Sequence, residues 1–325
     1  MTAPRGRSGA FAGVKIVLVA AFNRKYHRSG LSLADALHSM GAEVVRCEER
    51  NTGLLSVFRS PLSSRLKRLL RRERPDLVLV FKGARLDADM VAGLKRQAPN
   101  VRWALWYPDD PHSLSLSLRL GPAYDAFFTH DSWSLPQHRA AGSKAHYLAF
   151  GCDPMYHRPL PAPGRWSSEI VFVGSRDAAR ERALTALPDL PIRIHGPGWL
   201  AGPVYGDDFV RALSNAKLGL NIHQHFGENG GAPDRYGHGA NMRVFELAAV
   251  GTPQLVDAKG DIARHFEPER EIALYKTVEE LRERARALLA DDARRKAMAE
   301  AARTRVLREH TWAQRLEELL TIALR

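Results

Sequence analysis

The stretch NMRVFELAAVGTPQLVD, residues 241–257, sets an arginine and a glutamate three residues apart at the front of a segment otherwise composed for burial. Val244, Phe245, Leu247, Ala248 and Val250 have core spacing, Gly251 and Pro253 mark a turn, and Leu255 and Val256 open a strand. A helix starting near Asn241 would bring Arg243 and Glu246 together on one face of its first turns. Its unpaired N–H groups and positive dipole end favour an anion, and Arg243 would add to that site. Glu246, a bidentate acceptor, suits paired hydroxyls such as those of a ribose. The competing reading is an internal Arg243–Glu246 salt bridge on an exposed face, which would contribute little to stability.

Three neighbouring motifs point the same way. The glycine-rich run HFGENGGAPDRYGHGAN, residues 225–241, feeds this helix, and glycines let backbone N–H groups approach a phosphate closely. It has neither the GKS or GKT ending of a Walker A loop nor a GxGxxG fingerprint. FVGSR puts Gly174 and Arg176 where a strand passes into a helix, and IHGPGW puts His195, Gly196 and Trp199 where a base could lie against backbone. Together they outline a pocket for a nucleoside diphosphate, against the alternatives of a solvated helix start for Arg176 and a satisfied loop histidine for His195.

The first half offers carboxylates. In WYPDDPH, Asp109 and Asp110 precede a proline that ends the strand, so they belong to a loop at the sheet edge. FTHDSW repeats the arrangement with His130 and Asp131. An aspartate there could act as general base towards an acceptor hydroxyl or orient a sugar; Asp131 could equally cap the helix that follows. His223 and His225 share a strand face without the further ligand a zinc site needs. Asp87 and Asp89 form a DAD that reads as the first turn of a helix, and no GxSxG or Cys-His nucleophile arrangement is present.

The elements that must position these residues alternate between short β-rich runs and longer helical patterns, the mark of parallel sheets built from βαβ units. Strands are expected from Val14, Glu43, Asp76, Val101, Asp125 and Ala145, and again from Glu169, Pro191, Lys217, Thr252 and Glu271. Helices are expected over 29–40, 87–96, 176–187, 207–216 and 241–250, and from Thr277 onward. The proline-rich run DPMYHRPLPAPGRW, residues 153–166, reads as a linker between two αβ domains with a cleft between them. Ligands of open parallel sheets bind outside the carboxyl ends of the strands, which is where all these motifs fall.

At 325 residues the chain has the length of two domains. Its longest early apolar run, residues 16–22, is far too short to span a bilayer, so a cytoplasmic protein is expected. Cys47 and Cys152 stand far apart and in no CxxC, which suits a reducing compartment. The net charge of +12 is densest in RLKRLLRRER, residues 65–74, an amphipathic helix. Such a face is a solvated surface, a contact for an anionic membrane, or a nucleic-acid contact; the absence of zinc-finger spacing and RRM aromatics argues against the last.

FVGS, HGPGW, LGLNIH, NMRVFELAAVGTPQLVD, EIALY and RVLREHTWAQRLEELL, in that order, resemble the C-terminal half of the CgeB-like or spore-maturation-like glycosyltransferases, relatives of the GT4 type. WYPDDP, THD and AFGCDP resemble their N-terminal half. The resemblance implies a GT-B fold of two Rossmann-like domains: a flexible start over 1–13, an acceptor domain over 14–158, a nucleotide-sugar domain over 159–310 and a final helix over 311–325 crossing back to the first domain. It implies transfer of a sugar from a nucleotide-diphosphate donor to an acceptor hydroxyl or amine of a glycan, lipid-linked, protein or small-molecule acceptor. Glu246 would hold the donor ribose, and Arg176 and Arg243 the phosphates, without a metal. The chain departs from the GT4 pattern at Gly239, where a glutamate usually stands seven residues before the ribose glutamate. Whether such an enzyme retains or inverts stays open. A nucleotide-sugar 2-epimerase shares the fold, and a non-catalytic basic surface or nucleic-acid-binding protein would share the charge.

Overall fold

A computed structural model describes residues 9–22, 28–49, 61–162, 164–224 and 237–325. His225 and most of the glycine-rich run lie outside the described residues. The chain forms two compact units, one of Pro4–Ala149 with Trp312–Arg325 and the other of Phe150–Thr311.

The first unit holds strands β1 (Lys15–Ala20), β2 (Glu43–Glu48), β3 (Leu77–Phe81), β4 (Arg102–Tyr107), β5 (Ala126–Thr129) and β6 (Ala145–Tyr147), all parallel in the order β2-β1-β3-β4-β5-β6. Helices cover both faces of such a sheet, so its central strands read as unbroken apolar runs: Ile16 to Ala20 and Leu77 to Val80 are fully buried. The helices are α1 (Ser29–Ser39), α2 (Leu62–Glu73), α3 (Ala88–Gln97), α4 (Leu114–Leu120) and α5 (Leu135–Ala140). Asp87 caps α3 by accepting from the Met90 N–H at 2.7 Å, and Asp89 sits in its first turn, so the DAD is a helix start. The final helix, written α11 (Trp312–Ala323), belongs to this unit, with the Trp312 ring 5.4 Å from that of Trp106 and 6.4 Å from that of Phe81.

The amphipathic helix α2 spends its apolar face inside the unit. Leu62, Leu66 and Leu70 join the core formed with Val17, Val78 and Trp103, and Lys67, Arg68, Arg71 and Arg72 face outward. Its leucines are therefore withheld from any membrane, and only charge is on offer.

The second unit holds β7 (Ser168–Val173), β8 (Ile192–His195), β9 (Ala216–Asn221), β10 (Gln254–Asp257) and β11 (Ala273–Tyr275), parallel in the order β11-β10-β9-β7-β8. Its helices are α6 (Ala178–Thr185), α7 (Asp207–Ser214), α8 (Met242–Val250), α9 (Val278–Ala290) and α10 (Asp292–Glu309). The long helical tail read in the sequence breaks at Asp291, whose side chain accepts from the Arg294 N–H at 2.9 Å and starts α10. The proline-rich run is docked, because it carries anchors among its prolines. Tyr156 donates to the Gly206 carbonyl at 2.7 Å, and Asn215 at the end of α7 binds the Leu160 carbonyl at 3.0 Å and the Ala162 N–H at 2.8 Å.

Each sheet reverses its strand order once, between β1 and β3 and between β7 and β9. Open α/β sheets bind ligands at such a switch point, outside the strand ends.

Candidate functional site

At the β7/β9 switch point stands the N-terminus of α8. Its buried face, Val244, Phe245, Leu247 and Ala248, lies against the sheet so closely that a Cβ on Gly219 of β9 would meet Leu247 Cδ2 at 2.5 Å. Asn241 is the N-cap: its Oδ1 accepts from the Val244 N–H at 3.3 Å, and its amide exchanges bonds with Asn221 at 2.9 and 3.0 Å. The Asn241 N–H donates to His223 Nε2 at 3.1 Å, so the neutral ring carries its proton on Nδ1, 2.7 Å from Asp257 Oδ1. Burial would raise the Asp257 carboxyl, but the hydrogen bonds from the His223 ring and backbone N–H, with the charge of Lys259, hold the group below its ordinary value. The His223 ring is thus spent on α8 and β10, which removes it from the candidate metal pair with His225.

Arg243 and Glu246 meet each other. Arg243 Nη1 lies 2.5 Å from Glu246 Oε2, the internal pair weighed above, but in a half-buried place with side chains 19% and 16% exposed. The Arg243 Nε–H donates to the Val173 carbonyl at the end of β7 at 3.2 Å, and its guanidinium lies 4.4 Å from the Phe209 ring centroid. Burial holds its basicity below the ordinary value, with Glu246 opposing in part. On its other side Glu246 Oε1 is 3.6 Å from His157 Nε2. The Asp153 N–H donates to His157 Nδ1 at 3.1 Å, so the neutral His157 ring turns an N–H towards the carboxylate.

Arg180, which sequence reasoning passed over, ties the switch point together. Buried to 9% exposure, it donates through Nε to the Ile222 carbonyl at 2.9 Å and through Nη1 to the Ser175 carbonyl at 3.0 Å, joining the loops after β9 and β7. Arg176 is paired with Glu181 and lies 5.9 Å from the Trp199 ring. Gly174 and Gly196 touch through their backbones: the Gly174 N–H donates to the His195 carbonyl at 2.9 Å, and a Cβ on Gly196, at φ +145°, would stand 1.9 Å from the Gly174 oxygen. The Trp199 indole N–H donates to that same oxygen at 2.9 Å. Among the described residues neither ring nitrogen of His195 has a hydrogen-bond partner; burial, then Arg193, holds its imidazole below the ordinary value.

In the first unit the three aspartates part company. Asp110 is enclosed, accepting from Ser117 Oγ at 2.6 Å and His138 Nε2 at 2.8 Å, with its side chain and that of His138 fully buried. Asp131 is also enclosed and accepts from the Ser134 N–H at 3.0 Å and from the Ser134 hydroxyl, an arrangement that holds the turn entering α5. Asp109 is a third exposed and lies 2.5 Å from Lys82 Nζ. Lys82 follows β3 at the other switch point with φ +83°, a left-handed conformation that a side chain adopts at a cost. Its only sequence-level signal is its place beside Gly83 after an apolar strand.

Among the described residues no group of three or more His, Cys, Asp and Glu side chains could hold a metal ion, and no helix is long and apolar enough to cross a membrane.

Two parallel-sheet Rossmann-like units with their polar residues at the strand ends define a GT-B fold, and comparison with solved structures bears this out. Anabaena HepE in complex with UDP and glucose superposes with TM-score 0.68 at 14% identity, over 95% of this chain and 99% of that one. Sucrose-phosphate synthase from Thermosynechococcus elongatus does so with TM-score 0.66 at 14% identity, over 95% and 98%. AviGT4, a glycosyltransferase involved in avilamycin A biosynthesis, gives TM-score 0.63 at 16% identity, over 96% and 98%. The sequence model of the family described as glycosyl transferase-like matches residues 176–321, from Arg176 through α8 and into α11. No curated protein sequence matches the chain.

Proposed function

We propose that the chain is a glycosyltransferase of the CgeB-like kind, moving a sugar from a nucleotide-diphosphate donor to an acceptor hydroxyl or amine without a metal ion. The observation that carries this reading is the half-buried Arg243–Glu246 pair at the N-terminus of α8, at the switch point of the second sheet. In this reading Glu246, kept in place by Arg243 and His157, accepts from the ribose hydroxyls with its remaining lone pairs. Arg243 and the helix start take the charge that develops on the departing diphosphate, the work a cation does in metal-dependent enzymes. Gly174 and Gly196 bring backbone close to the nucleotide, with His195 and Asn241 beside them, and Arg176 reaches the phosphates by leaving Glu181. The HepE complex with UDP and glucose supports a uridine diphosphate sugar as donor.

Asp109 is the acceptor-side base in this reading, because it alone of the three aspartates is open to solvent; Lys82 fixes its carboxylate. It would take the acceptor proton as the new bond to the sugar forms and the bond to the diphosphate breaks. The outward charges of α2 would hold the protein at an anionic membrane surface, by charge alone. Incubation with UDP-glucose, UDP-galactose and UDP-N-acetylglucosamine, with release of UDP followed by phosphorus NMR in EDTA, tests the function. Release that depends on Glu246 supports it; no release from any sugar nucleotide, with or without added acceptor sugars, speaks against it.

A further inference from the structure

Asp257 and His223 have no part in the reaction as described, yet the polar chain Asp257–His223–Asn241 ends on the backbone that begins α8. Its members come from distant places in the sequence: Asp257 closes β10, His223 follows β9, and Asn241 caps the helix. His223 and Asp257 are withdrawn from water, to 7% and 2% exposure, as is the Asn221 side chain bonded to Asn241, and a carboxylate, an imidazole and an amide are costly to bury. The rear of α8 does not need them. It is held by the apolar contacts of Phe245, Leu247 and Val250, by Gln254 Nε2 donating to the Val244 carbonyl at 2.8 Å, and by Arg303 Nε donating to the Ala249 carbonyl at 3.2 Å. The chain fixes only the first residues of the helix, where the diphosphate is to lie.

We infer that His223 is a positioning residue for the nucleoside diphosphate: its Nε2, oriented by Asp257 through Nδ1, accepts the Asn241 N–H and sets where the α8 N-terminus, and Arg243 behind it, stand. The inference rests on the nucleotide-binding role proposed for that site. Its geometry is divisible. A glutamine at 223 can offer an acceptor near the place of Nε2 but not a donor to Asp257, and an asparagine can offer a donor near the place of Nδ1 but not the acceptor to Asn241. His223→Gln should therefore keep affinity for UDP within about threefold of the wild type, whereas His223→Asn should weaken it about tenfold, the worth of one hydrogen bond at a well-ordered site.

Calorimetric titration of the full-length proteins with UDP, GDP, ADP and dTDP, alongside their thermal midpoints, decides the matter. Loss in the asparagine variant, retention in the glutamine variant and similar midpoints for the two is the expected result. Equal losses that follow the midpoints, no loss in either, or loss in the glutamine variant alone overturns the inference while leaving the nucleotide site standing. Failure of the wild type to bind any of the four overturns both. Should a variant not fold, nitrogen NMR of the wild-type imidazoles carries the test: the expected His223 ring has its proton on Nδ1 and an Nε2 resonance that moves on adding the nucleotide. A proton on Nε2, or a resonance indifferent to a nucleotide that binds, contradicts it.

Discussion

The guanidinium of Arg243 grips Glu246 at 2.5 Å with one nitrogen and the last carbonyl of β7 at 3.2 Å with another, so one side chain locks the front of α8 to the strand beside the switch point. The two charges therefore serve the fold before any ligand arrives. Removing either leaves the other half-buried and short of a partner. Glu246→Ala should lower stability by roughly 1–3 kcal/mol, measured by urea denaturation, since a strongly hydrogen-bonded charge is left unpaired.

Gly196 is the least replaceable backbone position near the site. Gly196→Ala forces a methyl against the Gly174 oxygen and strains a positive φ, whereas a Cβ on Gly174 comes no nearer than 3.0 Å, to the Phe172 ring, with Arg180 Cζ at 3.5 Å. The Gly196 variant should melt well below the wild type and lose nucleotide-induced stabilisation, and Gly174→Ala should be the milder of the two. Differential scanning fluorimetry with and without UDP reads both.

Lys82 and Asp109 should act on turnover and spare nucleotide binding. Asp109→Asn is expected to lower sugar transfer on the order of a hundredfold, the ordinary worth of a general base, with UDP affinity unchanged. Asp110→Asn, by contrast, disturbs a buried contact with His138 and should show first as lost stability.

The strands and most helices were legible because burial on both faces writes itself as apolar runs and helices announce their caps: Asp87, Asp177, Asn241 and Thr277 all accept from an N–H three residues on. Arg243 and Glu246 were visible as charges in an apolar setting, though their mutual contact was not, since spacing alone does not say whether two neighbours bind each other or a ligand. Arg180 and His157 were hidden for a different reason. Each reaches, besides near neighbours, a partner more than forty residues away, Arg180 on Ile222 and His157 on Glu246, and spacing does not show it. Lys82 has a local mark, its left-handed backbone, but only coordinates reveal it.

Stability should fall as the solution is acidified. Burial, then Arg193, depresses His195, and burial, then Arg139, depresses His146, so both are neutral in the folded chain near pH 6.5 while the unfolded chain begins to take up protons. The unfolded state then binds more protons, and the stabilisation, complete above 6.5, is lost as pH falls through the depressed folded values. His195→Gln should flatten the dependence of the melting temperature on pH between about 7 and 5, an effect that follows from this linkage.

The outward face of α2 can be separated from its packing. Leu66→Ala should cost about 2–5 kcal/mol, as for other buried leucines, whereas Arg68→Glu with Arg71→Glu should leave the melting temperature nearly unchanged. If the helix docks on anionic lipid by charge, the double charge reversal abolishes cosedimentation with phosphatidylglycerol vesicles at low salt, and raised salt does the same to the wild type.

The central claim is that the front of α8 binds a nucleoside diphosphate through Arg243 and Glu246. Its most direct test is titration calorimetry of the wild type and Glu246→Ala with UDP, GDP, ADP and dTDP in EDTA. The account predicts saturable binding of one of the four to the wild type, UDP foremost, and a large loss in the mutant. Absence of binding by all four, or equal affinity in the two proteins, would contradict it.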